Sequence, residues 1–549
     1  MGSRSLAWRT RLSFYGAVGA LALGSPAFAQ SQTPSAQELL DQIRLLQKRI
    51  EQLEASEKQR SQGAPAARAA AAKPRPSTPA AKPVEVEATP PVEASSPAPA
   101  TVSATVATPA GDPDKPNGSF MLGGAKVTLG GYLDLTGYSR SVNENRGTGT
   151  GYGTIPFGGP TPQGNTGEFG MSAQATRLSA KIEASVGATS SLVGYGEMDF
   201  NNGAGGANSV QSSSYTPRLR QAFLQLGDDA WQAHLLAGQA WSLATPFSKG
   251  LDPFKTWQPP TLDTNYMVGY DYLRVPMVRV VKGFDNFWAG IEANTPQTVF
   301  GGTSVVPPGQ TVFLNYPGNS GLNPQANYST NVAPDLIAKV ALDTRFGHVE
   351  AFGLMRWFQS QLAFGTTSVN NTAFGGGVGA SAFVPIGPWA DVMASVLYGN
   401  GVGRYGASGL PDVTFNANGG LAVLPEGMGT VGIVGHVVPK VLDVYAFYGW
   451  DWIGASYFPR GGYGNPTFDN TGCFNPNAAA SGQVCTGNTQ SLNQITAGVN
   501  WNVLRGRYGT FRTGLQYGHI TRTAYAGFGG TPSAAEDLFM FNFRYLPFE

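Results

Sequence analysis

Residues 177–186 read RLSAKIEASV, so charged or hydroxyl side chains alternate with apolar ones. On a β-strand this order places Arg177 and Lys181 on one face and Leu178 and Ile182 on the other. A charge at the midplane of a bilayer costs about 2–4 kcal/mol for Lys or Arg, so the charged face must contact water. The segment therefore predicts a strand that separates water from an apolar environment.

Sixteen such amphipathic runs lie between about Val127 and Phe548, and their connections alternate between long and very short. The long, polar connections are 139–170, 201–215, 242–270, 296–333, 359–371, 400–426, 454–490 and 523–536. The tight turns are 186–191, 227–230, 282–285, 344–347, 385–388, 438–441 and 503–509. Long loops on one side and short turns on the other are typical of outer-membrane barrels. The chain is thus predicted to be all-β, with a 16-stranded antiparallel transmembrane β-barrel over residues 118–549 that encloses a water-filled pore.

Composition agrees with a barrel in contact with outer-membrane lipid. The chain is 42% hydrophobic and 13% charged, yet no run of eighteen apolar residues follows residue 29, which excludes a spanning helix. The net charge of +1 argues against nucleic acid as a partner. We expect no cofactor, because the GxGxxG match at 401–406 falls in a loop rather than a strand–turn–helix unit.

The four histidines are scattered, so a metal site is not expected and a structural or lumen-lining role is favoured. We expect the protein not to be an enzyme. A serine-hydrolase dyad of the outer-membrane lipase kind stays open as the enzymatic alternative, although the sequence offers no lipid-facing Ser–His arrangement.

The N-terminus predicts export. Residues 1–29 combine a basic region, an apolar core at 12–24 and the small-x-small site Ala27-Phe28-Ala29, which is the pattern of a cleaved signal peptide. The alternative, a short membrane anchor, is disfavoured because the apolar core is too short to span. We therefore expect the barrel in the cell outer membrane of a Gram-negative organism, with the N-terminal extension in the periplasm.

Residues 30–60 predict a coiled-coil oligomerisation helix. Ser35 and Glu38 form a capping box, and five apolar residues then repeat at intervals of four and three. The seam residues are Leu39, Ile43, Leu46, Ile50 and Leu53. Branched residues at the first core position favour dimers in isolated coils, which conflicts with a homotrimer. A solvated amphipathic helix is the alternative.

Residues 61–117 are rich in Ala and Pro and cannot bury enough apolar surface to fold. Their prolines predict a disordered but extended, semi-rigid linker that reaches into the periplasm. Peptidoglycan is a candidate partner of this linker, although no residue in it marks a binding site.

The two cysteines, Cys473 and Cys485, lie twelve residues apart in the seventh long loop. In an exported protein this arrangement predicts a disulfide, with free thiols or a metal pair as alternatives. A bridge here would stabilise the loop by roughly 3 kcal/mol on the chain-entropy model.

Function is expected to depend on the lumen. The third long connection, 242–270, is where general porins fold a loop inward, and the sequence leaves open whether this one does so. Candidate pore-lining and selectivity residues surround it: Arg177, Lys181, Arg218, Arg220, Arg274, Arg279 and Arg356. Arg274 and Arg279 face one lumen only if Pro276 marks a bulge. These side chains either select anions, especially carboxylates, or pair with acidic residues to brace the wall.

The chain also resembles the DcaP-like trimeric outer-membrane porins. The motifs that carry the likeness are GGYLD (130–134), AGQAWS (237–242), NTQ (488–490), AGV (497–499), GRYGT (506–510), GLQY (514–517) and RYLPF (544–548). The resemblance implies a sixteen-stranded homotrimer with one channel per protomer, a trimerising coiled coil, and diffusion of small organic acids such as dicarboxylates. Two departures are the expanded Ala/Pro linker and the terminal Glu549, which places Phe548 one residue before the usual terminal aromatic.

We therefore expect an outer-membrane porin for passive diffusion of small hydrophilic solutes, preferably anionic organic acids. The alternatives are a non-selective general porin and a structural barrel that ties the outer membrane to the periplasm through its N-terminal extension. The sequence does not identify the preferred solute.

Overall fold

The computed structural model describes residues 118–201, 213, 215–303, 310–318 and 326–548. The predicted signal peptide, coiled-coil seam and linker lie outside the described residues. None of the helices in the described part of the chain is long and apolar enough to cross a membrane.

Sixteen long strands form one antiparallel sheet, which confirms the predicted fold class. They are β2 (Ala125–Arg140), β4 (Arg177–Ser185), β5 (Ser190–Asp199), β6 (Arg218–Asp228), β7 (Ala233–Trp241), β8 (Arg274–Phe284), β9 (Phe287–Asn294), β13 (Asp335–Thr344), β14 (Gly347–Phe364), β15 (Thr367–Ile386), β16 (Ala390–Asn400), β19 (Pro425–Val438), β20 (Leu442–Ile453), β23 (Thr489–Gly506), β24 (Gly509–Ala524) and β25 (Ser533–Leu546).

The sheet closes on itself. β2 pairs with β4 along one edge and with β25 along the other, in the register Leu133↔Tyr545 to Arg140↔Leu538. A closed barrel leaves no open edge, so the backbone N–H and C=O groups within the membrane are all paired between strands.

Shorter elements occupy the ends of the barrel. The remaining strands are β1 (Ser119–Leu122), β3 (Glu168–Ser172), β10 (Gln310–Phe313), β11 (Asn315–Pro317), β12 (Asn327–Ser329), β17 (Val413–Phe415), β18 (Leu421–Val423), β21 (Ser456–Phe458) and β22 (Gly461–Tyr463). Within the described residues, the helices are 3-10 turns at Tyr152–Thr154, Pro162–Asn165, Pro253–Lys255, Gly403–Tyr405 and Thr471–Phe474, and one α-helical turn, α1 (Ala478–Ser481). Except for β1, these elements lie in the long connections.

The predicted long connection at 359–371 is wrong. β14 continues to Phe364 and β15 begins at Thr367, so the two strands are joined by a two-residue turn in which Gly365 has a φ of +55°. Their polar residues remain paired across the hairpin, for example Gln361 with Asn370. Polarity misled the prediction because a hairpin beyond the membrane meets water on both faces and loses its alternation.

The alternation in the other strands separates the two faces as expected. In β4, Leu178 and Ile182 are exposed on the outer surface, while Arg177 and Lys181 point into the barrel beside the side chains of β5. Much of the interior is filled by connections from the long-loop end. One buried apolar cluster joins the third connection to the wall and contains Leu236, Leu243, Phe247, Leu251, Val281 and Ile337.

The disulfide between Cys473 and Cys485 is present, with Cα atoms 4.6 Å apart. Both cysteines pack with Phe157 of the first long connection. The bridge therefore stabilises the seventh long connection where that connection meets the first.

Candidate functional site

Loop 3, the segment 242–273 between β7 and β8, enters the barrel and is bonded first to one wall. The Glu292 carboxylate on β9 accepts hydrogen bonds from Ser242 Oγ at 2.9 Å and from the Leu243 amide at 2.8 Å. Farther along, the Phe247 amide donates to Glu350 on β14 at 3.1 Å. Inward-facing carboxylates thus hold the first part of loop 3.

The second part of loop 3 is bonded to strands on another side of the barrel. The Leu262 amide donates to Gln516 Oε1 at 2.7 Å, and the Val268 amide donates to Gln494 Oε1 at 2.8 Å. Since Gln494 lies on β23 and Gln516 on β24, the loop crosses the lumen between separate walls. Loop 3 therefore folds inward, which the sequence had left open.

Arginines and carboxylates converge on the inner wall formed by β4, β5 and β6. Arg218 binds Asp199 through two nitrogens at 2.9 and 2.8 Å. Arg220 bridges both acids, donating to Glu197 at 2.6 Å and to Asp199 at 2.7 Å. Arg177 approaches Glu197 at 3.8 Å. Three predicted site residues are thus brought together at one place.

Arg274 joins this group from the end of loop 3. Its guanidinium lies 4.7 Å from the ring of Trp241 and 5.3 Å from the ring of Tyr272, whose hydroxyl accepts a hydrogen bond from it. Among the described residues no carboxylate lies within 4.0 Å of Arg274. We call Arg177, Arg218, Arg220, Arg274, Glu197 and Asp199 the basic cluster.

The basic cluster carries four positive and two negative side chains, a formal charge of +4 − 2 = +2. The side chain of Arg218 is 33% exposed and that of Arg177 is 21% exposed, whereas Arg220 is 2% exposed. Three buried guanidinium nitrogens have no described hydrogen-bond partner: Arg177 Nε, Arg220 Nη2 and Arg274 Nη1. Such donors are rare unless water or an anion satisfies them.

The other predicted site residues lie apart from the basic cluster. Lys181 pairs with Glu183 at 2.7 Å, and its ammonium lies 4.3 Å from the ring centre of Phe254 in loop 3. Arg279 is fully buried opposite Glu292 and donates to the backbone oxygen of Trp241. No register shift occurs at Pro276, so no bulge brings Arg274 and Arg279 into one group.

Arg356 belongs to a buried network at the long-loop end. It donates to Asp335 at 3.1 Å and to Asp412 at 2.5 Å, and also to the backbone oxygens of Gly401 and Gln297. Burial raises the pKa of Asp412, which lies in a loop, although the nearby guanidinium opposes that effect. The contacts of Arg356 are those of a residue that fastens loops to the wall.

Sequence reasoning missed residues beside the basic cluster. Tyr132 lies under two guanidinium groups, with Arg544 at 4.0 Å and Arg177 at 5.2 Å from its ring centre. Arg544 also bonds Asp134 at 2.8 Å. Alternation with apolar residues along β2 and β25 predicts that Tyr132, Asp134 and Arg544 face the lumen, but it does not show that they lie beside Arg177.

Three of the four histidine rings, those of His348, His436 and His519, interact with carboxylates. His348 contacts Asp343 and Glu350, and His436 contacts Asp391 and Asp443. Within the described ranges, no group of three or more His, Cys, Asp or Glu residues is placed to hold a metal ion.

No protein-family model and no curated protein matches this chain. Solved structures do match. The outer membrane channel DcaP of Acinetobacter baumannii aligns with a TM-score of 0.51 at 17% identity, over 78% of this chain and 100% of that one. An anion-selective porin from Comamonas acidovorans aligns at 12% identity and a TM-score of 0.38, over 77% and 99% of the two chains. OmpF of Salmonella typhi, in a complex with daunomycin, aligns at 12% identity and a TM-score of 0.43, over 78% and 99%.

Only the DcaP alignment is close enough to support a statement about the fold, and it extends over the whole of the DcaP chain. The described residues thus form a closed sixteen-stranded barrel with the fold of the outer-membrane channel DcaP.

Proposed function

We propose that this protein is an outer-membrane porin through which small anionic organic acids, such as dicarboxylates, diffuse passively. The observation that carries the proposal is the basic cluster, whose formal charge is +2 and whose Arg177 and Arg218 side chains are partly exposed inside the barrel. Positive groups lining a narrow passage lower the energy of an anion and raise that of a cation.

Loop 3 carries three aspartates and two lysines, a formal charge of +2 − 3 = −1: Asp252, Asp263, Asp271, Lys249 and Lys255. Asp263 and Asp271 are buried, and Asp252 is half-buried, whereas both lysines are exposed. The exposed charges of loop 3 are therefore positive and have the same sign as the surplus of the basic cluster.

Guanidinium groups also suit carboxylates in particular. Arg presents a planar fork of donors that matches the two oxygens of a carboxylate. Arg177 and Arg274 each retain one unpartnered nitrogen, and they come from different strands. Two separated donor groups favour a solute with two carboxylates over one with a single carboxylate.

The proposal is tested by the reversal potential of the purified protein in planar bilayers under a potassium chloride gradient. In Arg218→Gln, Asp199 keeps its bond to Arg220, so the wall is preserved. Removing a unit charge about 7 Å from an ion path changes the energy of the ion by about 0.6 kcal/mol in water, or about threefold in occupancy. We expect the wild type to prefer chloride and the variant to lose most of that preference.

Arg345→Gln removes the same charge at the short turn between β13 and β14 and is the matched control. A reversal potential that moves equally in both variants, or a wild type that prefers cations, contradicts the proposal. Faster liposome flux of succinate than of butane-1,4-diol, which is similar in size, tests the preference for dicarboxylates.

A homotrimer built through the coiled coil at 39–53 belongs to the same proposal, as does a periplasmic linker that approaches peptidoglycan. The second candidate is a non-selective or structural barrel. The buried bonds of Arg279 and Arg356 favour it, because these two arginines brace loops against the wall.

A further inference from the structure

A crevice of about 470 Å³ lies inside the barrel beneath the tip of loop 3. Its wall side includes Val193 on β5, Gln225 on β6, His234 on β7 and Trp288 on β9. These strand positions are next to the short turns, whereas the basic cluster lies where the same strands meet the long connections. Lys181 lines the crevice and is four residues from Arg177 on β4, or roughly 13 Å away.

An aromatic contact separates the crevice from the basic cluster. The Phe254 ring of loop 3 lies 5.3 Å from the Tyr195 ring and 5.7 Å from the Phe223 ring. The Tyr195 hydroxyl donates to Glu197 of the basic cluster at 3.1 Å. The crevice is therefore a second compartment with its own lining.

The tip of loop 3 holds two ammonium groups at the rim. The Ser248 amide donates to the Lys255 oxygen at 2.9 Å, which closes the tip and brings Lys249 and Lys255 to its two ends. Asp252 is engaged within the tip, where it accepts the Phe254 amide at 2.9 Å. Both lysines are exposed, and no described carboxylate lies within 4.0 Å of either ammonium.

Two buried polar atoms of the crevice residues lack partners. Gln225 Oε1 and His234 Nε2 have no hydrogen bond to any described residue. An amide oxygen can only accept a hydrogen bond, so the group that satisfies Gln225 Oε1 must be a hydroxyl or an N–H donor. Buried polar atoms are usually satisfied, so this pair indicates that a bound molecule or water completes the site.

The remaining lining consists of one ion pair and a rigid apolar part. Glu183 is paired with Lys181 at 2.7 Å, so its charge is balanced within the crevice. Val193 and Leu251 are buried, and the Trp288 indole is fixed by its hydrogen bond to Asp343 at 2.9 Å and by close packing against Gly250. A flat apolar body can thus rest against Trp288 while a charged end reaches the lysines. The volume lies within the range of small-molecule sites.

From this lining we infer a binding site for small monocarboxylates that carry an apolar ring and a hydroxyl group. The carboxylate contacts Lys249 and Lys255, the ring packs on Trp288 and Val193, and the hydroxyl donates to Gln225. The inference rests on the proposed function only in that the solute reaches the crevice through the channel. Binding itself does not depend on ion selectivity.

The test is equilibrium binding of 4-hydroxybenzoate to the full-length protein in detergent, measured by isothermal titration calorimetry, with benzoate as the comparison. We expect saturable binding of one molecule per chain and a preference of up to about tenfold for 4-hydroxybenzoate, the value of one neutral hydrogen bond. The variant Gln225→Leu removes that preference. Lys249→Gln with Lys255→Gln weakens the binding of both ligands at least tenfold.

Lys440→Gln, in the turn between β19 and β20, is the matched control and binds as the wild type does. No saturable binding, equal affinity for the two ligands in the wild type, or affinity unchanged in the double lysine variant overturns the inference. The wild-type comparison needs no variant to fold. Binding without anion selectivity supports the crevice and contradicts the proposed function, whereas anion selectivity without binding does the reverse.

Discussion

Removing the Glu292 carboxylate should release the first part of loop 3. Glu292 is fully buried and accepts three hydrogen bonds, from Ser242 Oγ, the Leu243 amide and Asn294 Nδ2, all between 2.8 and 2.9 Å. It also lies opposite the buried Arg279. A single carboxylate thus holds the start of loop 3 and balances an arginine that cannot reach water.

The expected magnitude follows from these contacts. Arg279 and Glu292 do not approach within 4.0 Å, so the hydrogen bonds of the carboxylate set the magnitude. Leaving a buried donor such as the Leu243 amide unsatisfied costs about 1–3 kcal/mol, and Ser242 Oγ loses its acceptor as well. We expect Glu292→Ala to lower the free energy of unfolding by about 3 kcal/mol. Glu292→Gln should lower it by less, because its amide oxygen can still accept from Leu243.

Two measurements test this. Single-channel recording gives the conductance, and the heat-dependent shift of the folded barrel on a denaturing gel gives the unfolding temperature. With its first anchor lost, loop 3 should leave the lumen part of the time, so both variants should show larger mean conductance and more fluctuation. Asp285→Asn, in the turn of the same β8–β9 hairpin, removes a carboxylate without touching loop 3 and is the control. Conductance and unfolding temperature equal to those of this control would refute the reasoning.

Three further outcomes follow from the structure. Arg356→Met leaves the buried Asp412 without an ion-pair partner, while Asp335 keeps Arg404 at 3.4 Å, and it should destabilise the loops at the mouth by about 3 kcal/mol, seen as a lower unfolding temperature. Replacing Cys473 and Cys485 by Ser should remove roughly 3 kcal/mol locally, so protease should cut the seventh loop sooner while the barrel melts unchanged. Burial raises the pKa of Asp263, so its contribution to stability is complete below the unfolded pKa of about 3.9 and is lost as pH rises through the raised pKa. The hydrogen-exchange protection of the amides of residues 144–154, corrected for the intrinsic exchange rate, should therefore decrease as pH is raised from about 4.

The strands were predictable because alternation is a local property of the chain. Leu178 and Ile182 are outside and Arg177 and Lys181 inside, as their parity requires. The same local property failed at 359–371, since a hairpin beyond the membrane has water on both faces and no alternation to detect. Alternation therefore predicts the part of a strand that lies in the bilayer, but not the part that extends beyond it.

The grouping of the arginines could not be predicted in the same way. Parity places Arg356 on the inner face, but its partner Asp412 is 56 residues away in a loop with no regular pattern. Whether Arg279 faces water or loop 3 depends on where loop 3 folds, and hydrogen bonds to Gln494 and Gln516 decide that. Such contacts join distant segments and leave no periodic trace in the sequence.

Burial and charge balance go together for Arg356 but not for every arginine. Arg356 is buried and bonds two carboxylates, which offset the cost of burying its charge. Arg279 is also buried, but no described carboxylate lies within 4.0 Å of it, and Glu292 is its neighbour on the paired strand. Arg177 and Arg218 are partly exposed and share two acids with Arg220, and Arg274 adds a fourth positive charge, which leaves the group positive. A surplus of positive charge is stable only where water or a solute reaches it. Under the proposed function, this surplus marks the section through which the solute passes, and the Phe254 contact of loop 3 separates that section from the lysines at the loop tip.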